Sequence, residues 1–226
     1  MTTPTSADGN SSGNGDGNGN GNGSVNVAVI YYSSTGTIAT LAAEIAAASE
    51  EAGANVRLRK AHELAPQAAI DSNPAWAANA AATADIPEAE PADMEWADAV
   101  IFGTPTRYGN VTSQLKQFID TLGGLWAQGK LADKVYSGFT SSATLHGGQE
   151  STLLALYNCA YHFGGIIVPP GYTQPSKFED GNPYGTSHVD AQGANPVDEI
   201  AKTAARVQAH RVVRFTGAIK TGLAQQ

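Results

Sequence analysis

The sequence predicts an α/β domain, a parallel sheet with helices on both faces. Short β-branched or apolar runs alternate five times with segments of helical period, as repeated strand–crossover–strand units do. The first run, VNVAVIYY at 25–32, is apolar without alternation, which suits a strand buried on both faces. The chain's 226 residues are enough for one such domain.

Residues 1–24 are Gly, Asn, Ser, Thr and Asp with almost nothing apolar. Such a segment cannot offset its ordering entropy by burial and reads as a disordered tail. After the strand at 25–32 comes a short turn, Ser33–Thr37. Ile38, Leu41, Ala42 and Ile45 then recur at helical spacing until Gly53 provides a stop. Residues 54–59 read as a second, less buried strand. Residues 61–95 are rich in Ala and Pro without a steady period, a long connection with short helical pieces of the kind that serves a site or an interface. Residues 98–103 form the next strand, and Val111, Leu115, Phe118, Ile119 and Leu122 mark the helix after it. A fourth strand spans 134–140. Leu153, Leu154, Tyr157 and Ala160 mark the following helix, and a fifth strand spans 165–168. Residues 170–195 read as a second long insertion. The last helix is expected to turn Val197, Ile200, Ala204 and Val207 inward.

The formal charge of −8 disfavours a broad interaction with a phosphate backbone. With no helix-turn-helix signature either, a nucleic-acid or repressor-type role has little support. The single cysteine, Cys159, excludes an intramolecular disulfide and a Cys-cluster metal site; within an apolar helical stretch it reads as a buried structural thiol. His146, His188 and His210 show no metal-ligand spacing, so no metal is assigned. No apolar run approaches the roughly 20 residues that span a bilayer, and the N-terminus lacks a signal peptide's parts, so a cytoplasmic protein is expected.

In an open parallel sheet, ligands bind beyond the carboxyl ends of the strands at the topological switch point. The loop after the first strand, Ser33-Ser34-Thr35-Gly36-Thr37, opens into a helix at Ile38. Helix N-terminal N–H groups beside four hydroxyls can hold a phosphate without a cation, although simple capping by Ser or Thr is the alternative. Neither GxxxxGK[ST] nor GxGxxG occurs here, which argues against a nucleoside triphosphate or a standard dinucleotide site. The loop after the third strand, Thr104-Pro105-Thr106-Arg107-Tyr108-Gly109-Asn110, offers an aromatic face, an amide and a planar cation. That set suits a flat heterocycle with polar edges; a surface turn is the alternative. The loop after the fourth strand, Ser141-Ser142-Ala143-Thr144-Leu145-His146-Gly147-Gly148, lets backbone amides approach a ligand closely.

Tyr31-Tyr32-Ser33, GTPTRYGN at 103–110, GGLW at 123–126 and HGGQE at 146–150 resemble WrbA-type NAD(P)H:quinone oxidoreductases. The resemblance covers 25–222. It implies a flavodoxin-like three-layer sandwich whose five-stranded parallel sheet has the order 2-1-3-4-5, binding FMN without a covalent bond. It further implies a homotetramer and two-electron reduction of quinones by NADH or NADPH. By resemblance, Ser33, Ser34, Thr35, Gly36, Thr37 and Ile38 hold the phosphate. Pro105, Thr106, Arg107, Tyr108, Gly109 and Asn110, with Ser141, Ser142, Ala143, Thr144, Leu145, His146 and Gly147, contact the flavin ring. Arg107 and the amides near Thr144 are expected to supply much of the electrostatics there. Trp126 and Tyr108 are expected to wall the quinone. His162 approaches the flavin, from its own or a neighbouring subunit, to stabilise reduced species or donate a proton. Thr35 stands where the family often has an aromatic associated with the nicotinamide cofactor. The competing expectation is a flavodoxin-type electron carrier serving protein partners.

Overall fold

The computed structural model describes residues 24–225; of the tail expected to be disordered, only Ser24 falls among them. The strands β1 (Asn26–Tyr31), β2 (Asn55–Lys60), β3 (Ala99–Pro105), β4 (Val135–Ser142) and β5 (Ile166–Ile167) lie in the order β2-β1-β3-β4-β5. All pair in parallel, with Val27 opposite Val56 and Ala99. This is the flavodoxin-like order implied by the motifs, and it places the switch point between β1 and β3, whose outgoing loops are the first two candidate loops.

The alternation of side chains along β1 divides the core. Val27, Val29 and Tyr31 face helices α1 (Thr37–Glu51) and α9 (Glu199–Leu223). Ala28, Ile30 and Tyr32 face the other layer, where α4 (Pro91–Trp96), α5 (Ser113–Asp120) and α7 (Gln149–Phe163) pack. Between β2 and α4 lie two short helices, α2 (Gln67–Asp71) and α3 (Pro74–Ala82), the helical pieces expected at 61–95. A further short helix, α6 (Gly123–Ala127), precedes β4, and α8 (Lys177–Asp180) lies in the second insertion.

The fifth strand position is filled by two segments. β5 pairs with the start of β4, while β6 (Thr186–Val189) returns from the insertion to pair with its end, Phe139 opposite Thr186. The stretch read as insertion therefore contains a strand. Gly185 makes that return possible: a Cβ there would lie 2.1 Å from the Gly138 carbonyl oxygen, so only glycine lets the two backbones approach. The insertion is pinned by Lys177 and Asp180, a fully buried ion pair, with Asn182 Nδ2 donating to Ser187 Oγ.

Of the four residues expected inward at the last helix, Ala204 is buried and Val197 packs against the core, but the rest of the α9 face differs. Ala201, Ala204, Ala205, Ala209, Val212 and Val213 are buried, whereas Ile200 is 45 % exposed and Val207 is only partly buried. Alanines let α9 lie close against α1, and close packing outweighs the side-chain size on which the helical phase was read. The buried face also carries Gln208. Its Oε1 accepts from Thr186 N–H (2.8 Å), and its Nε2 donates to Ser137 Oγ (2.8 Å) and the Gly138 carbonyl (2.7 Å). One amide thus locks α9, β4 and β6 together. No helix among the described residues is long and apolar enough to cross a membrane.

Replacing Gln208 with Leu strands the Thr186 donor, and an unmet buried group costs about 1–3 kcal/mol. Denaturant unfolding should show Gln208→Leu less stable by that amount; a midpoint equal to the parent's would show that the amide is not the lock.

Candidate functional site

The carboxyl ends of β1, β3 and β4 open onto a cavity of about 540 Å³, within the roughly 300–1,000 Å³ range of small-molecule and cofactor sites. Ser33, Ser34, Thr35, Thr37 and Ile38 line it from the first loop, Pro105, Thr106, Arg107 and Tyr108 from the second, and Ser141, Ser142, Ala143, Thr144 and Gly147 from the third. The three loops named from sequence therefore converge.

The first loop is built to meet an anion. Gly36 takes φ +102° as the N-cap of α1, a left-handed conformation that favours glycine. Its N–H donates to Ser33 Oγ (3.2 Å). The N–H groups of Ser34, Thr35, Thr37, Ile38 and Ala39 have no protein acceptor among the described residues. Free donors at the start of a 15-residue helix, joined by its dipole, make an anion cradle. Simple capping by hydroxyls does not account for it, because no side chain caps α1.

The second loop is rigid. Arg107 N–H donates to Asn110 O (2.8 Å) and Asn110 N–H to Arg107 O (3.0 Å), closing a tight turn. Tyr108 and Gly109 both sit at positive φ, +54° and +77°. Thr106 Oγ1 accepts from Gly109 N–H and is hydrogen-bonded to Thr152 Oγ1. A tyrosine held fully exposed in left-handed backbone is strained without internal reward, a mark of functional positions. Gly109 and Asn110 thus shape the turn from outside the cavity lining. Arg107 donates to Thr106 O (2.9 Å) and reaches Ser34 Oγ (3.4 Å); no carboxylate pairs with it among the described residues. One guanidinium therefore bridges the anion cradle and the turn, its charge free for a ligand.

In the third loop, Ser142 Oγ donates to Thr144 O (2.7 Å) and accepts from Gln149 Nε2 (2.8 Å). The Ala143 and Thr144 N–H groups have no protein acceptor among the described residues. Leu145 and His146 are exposed and lie outside the lining.

Trp126 and His162 are elsewhere. Trp126 Nε1 donates to His162 O (2.8 Å), and both border a separate shallow hollow with Cys159 and Phe163. The reason is strand polarity. α6 and the end of α7 lead into β4 and β5, so they sit at the amino edge of the sheet. The cavity lies at the carboxyl edge, about 20 Å away along α7 at 1.5 Å per residue. One chain alone does not bring these two side chains to its own cavity. Cys159 is half-buried, and burial pushes its thiol above the usual range.

Four lining residues were not anticipated: Asn73, Trp76, Asp190 and Gln192. Asn73-Pro74 is a helix-start signature; Asn73 Oδ1 accepts from the N–H groups of Ala75 (3.0 Å) and Trp76 (3.2 Å). Asp190 follows β6, whose pairing with β4 has no signal in the sequence. Its carboxylate accepts from Thr37 Oγ1 (3.4 Å) and from Gln192 N–H (3.0 Å).

The fold is that of a flavodoxin-like protein, and its cavity at the switch point offers the donors and the rigid aromatic turn that a phosphorylated, flat-ringed ligand needs. The chain belongs to the NADPH-dependent FMN reductase family, whose pattern matches residues 22–180, and within it to the WrbA-like group. An NAD(P)H dehydrogenase (quinone) of Deinococcus radiodurans is 51 % identical over 193 residues, spanning 85 % of this chain and 96 % of that protein. Its counterpart in Sinorhizobium fredii is 40 % identical over 195 residues, 84 % of this chain and 96 % of that one. Among solved structures, a WrbA-like flavodoxin from Agrobacterium tumefaciens superposes with a TM-score of 0.62 at 27 % identity, covering 85 % of this chain and 98 % of that one.

FMN fits the donor set: free amides and hydroxyls for its phosphate, a rigid aromatic turn and further amides for its ring. Asp190 is the discordant element, a carboxylate beside the cradle. A like charge a few ångströms from a bound phosphate is worth about 1 kcal/mol in a solvated site. Asp190→Asn should therefore tighten FMN binding about fivefold at low salt, measured by quenching of flavin fluorescence, with the gain shrinking as salt rises. Weaker binding would show instead that the carboxylate orients the cradle.

Proposed function

We propose that the 25–222 unit binds FMN and catalyses two-electron reduction of quinones to hydroquinones, taking electrons from NADH or NADPH. The observation that carries the reading is the set of N–H groups without a protein acceptor among the described residues at Ser34, Thr35, Thr37 and Ile38, all lining a cavity that also holds the strained Tyr108 turn. The names of the curated relatives, NAD(P)H dehydrogenase (quinone), support the same activity.

When bound, the flavin supplies two-electron transfer between nicotinamide and quinone. The protein's part is to hold and polarise. Ser33 through Ile38 grip the phosphate through main-chain amides and hydroxyls, so the anchor does not depend on a lysine. Arg107, without a carboxylate partner, places positive charge where a reduced ring is negative, and the Ala143 and Thr144 amides add donors from the other side. Tyr108 gives a flat wall for a quinone.

Trp126 and His162 enter this scheme from a second copy of the chain. Their distance from their own cavity, and the exposed aromatics around them (Trp126, Tyr161), support an assembly in which a neighbour's α6 and α7 end cover the pocket mouth. A homotetramer of cytoplasmic location is the arrangement we propose. In it the neighbour's His162 donates or stabilises a proton at the quinone.

The purified, FMN-loaded protein should oxidise NADH or NADPH with a simple quinone as sole acceptor. A flavodoxin-type carrier would need a second protein, so absence of turnover without one favours the carrier. Arg107→Ala should weaken FMN binding or slow quinone reduction about tenfold or more, in line with loss of a charge-assisted contact. Unchanged titration and kinetics would remove Arg107 from the site.

A further inference from the structure

Helix α3 has no fully buried residue, only Trp76, Ala77 and Asn79 half-buried, so hydrophobic packing alone does not fix its position. Polar bonds hold it, and they run to the site. Asn79 Nδ2 donates to Ser33 O (2.9 Å), and Trp76 Nε1 donates to Glu63 (3.1 Å). Lys60 Nζ donates to Thr83 O (2.6 Å), just beyond its end.

Glu63 collects four donors from four parts of the chain. Tyr32 Oη lies at 2.9 Å, Ala65 N at 2.9 Å, Trp76 Nε1 at 3.1 Å and Gln114 Nε2 at 3.0 Å. Burial alone would raise this carboxyl, but the donors outweigh it and hold it below the ordinary range, so it stays an anion and an acceptor. A half-buried tryptophan pinned by its only donor offers the cavity a flat carbon surface and no hydrogen bond. That is a stacking platform.

The sheet order says which ring it suits. Across the rim run α3 beyond β2, the anion cradle after β1, and the two ring loops after β3 and β4. An FMN anchored at the cradle with its ring on the β3 and β4 loops extends away from Trp76. A nicotinamide must also lie against that flavin ring to react, so the other half of the dinucleotide is left to reach toward α3. Behind Trp76 is a recess of about 130 Å³ that shares Ser33 and Trp76 with the main cavity. Lys60, Glu63 and Asn79, the residues that brace α3, line the same recess. A flat carbon surface on that side of the cradle suits the one planar ring in the dinucleotide's other half, its purine.

We propose that Trp76 is the platform for the adenine of the NAD(P)H donor, and that Glu63 is its positioning residue. The proposal rests on the FMN-dependent reading above and deepens it by dividing one cavity between two ligands.

The test titrates the FMN-loaded protein with ADP-ribose, which keeps the adenine and pyrophosphate but has no nicotinamide, by calorimetry. Base stacking on an aromatic is worth about tenfold or more in affinity. Trp76→Ala should weaken ADP-ribose by about that factor and raise the KM for NAD(P)H, with the loss falling on KM instead of kcat. The FMN dissociation constant should move less than about twofold. Trp76→Phe should restore most of the binding, and Glu63→Gln should fall between, because an amide accepts fewer of the four donors. A loss of FMN affinity in Trp76→Ala, with ADP-ribose unaffected, would make Trp76 a flavin wall and overturn the proposal. No change in either ligand would overturn it too. Failure of the parent protein to take up FMN would sink the underlying reading instead, and the two outcomes are distinguishable.

Discussion

The structure is organised around a debt of hydrogen bonds at one point. Where β1 passes into α1, five N–H groups have no protein acceptor among the described residues, and Ile38, which carries one of them, is buried. First-turn amides of a helix look outward for acceptors, and here no side chain supplies one, so this end of the helix is fitted for an anion. Everything placed near it serves that fit or exploits it. Gly36 bends the backbone to expose the donors, Arg107 spans from the cradle to the ring loop, and Asn79 braces the Ser33 carbonyl. In the function we propose, an acidic protein thereby secures a phosphate locally, with its net charge of −8 left intact.

Much of this was legible in the sequence because it depends on local rules. The VNVAVIYY run followed by SSTGT and a helical period specifies a strand, an amide-rich turn and a helix start within a short stretch of chain. The motif GTPTRYGN carries its own turn, so the positive φ of Tyr108 and Gly109 is encoded by neighbours in sequence. The sheet order was what the resemblance carried by four short segments implied, and β2-β1-β3-β4-β5 is what the backbone shows.

What was not legible depends on contacts distant in sequence. β6 joins the sheet through Gly185 and Gln208, residues that no period or motif distinguishes. It carries Asp190 to the cavity with it. On α9, Ala204 was read correctly but Ile200 and Val207 were not, because large side chains are the usual guide, whereas alanines facing α1 set the packing. Trp76 was hidden in an Ala- and Pro-rich connection, and only the bond to Glu63 reveals its purpose. Trp126 and His162 were assigned roles by resemblance alone. Their place at the opposite edge of the sheet follows from the direction of the strands, which a list of motifs does not convey.

The central claim is that main-chain amides at the start of α1, gripping a phosphate, dominate recognition. Comparing the affinities of the ligand-free protein for FMN and for riboflavin, which lacks the phosphate, tests it most directly. One or two charge-assisted hydrogen bonds lost with the phosphate predict that riboflavin binds at least about 100-fold more weakly. Equal affinities would mean that the ring loops do the binding and that the cradle has another purpose.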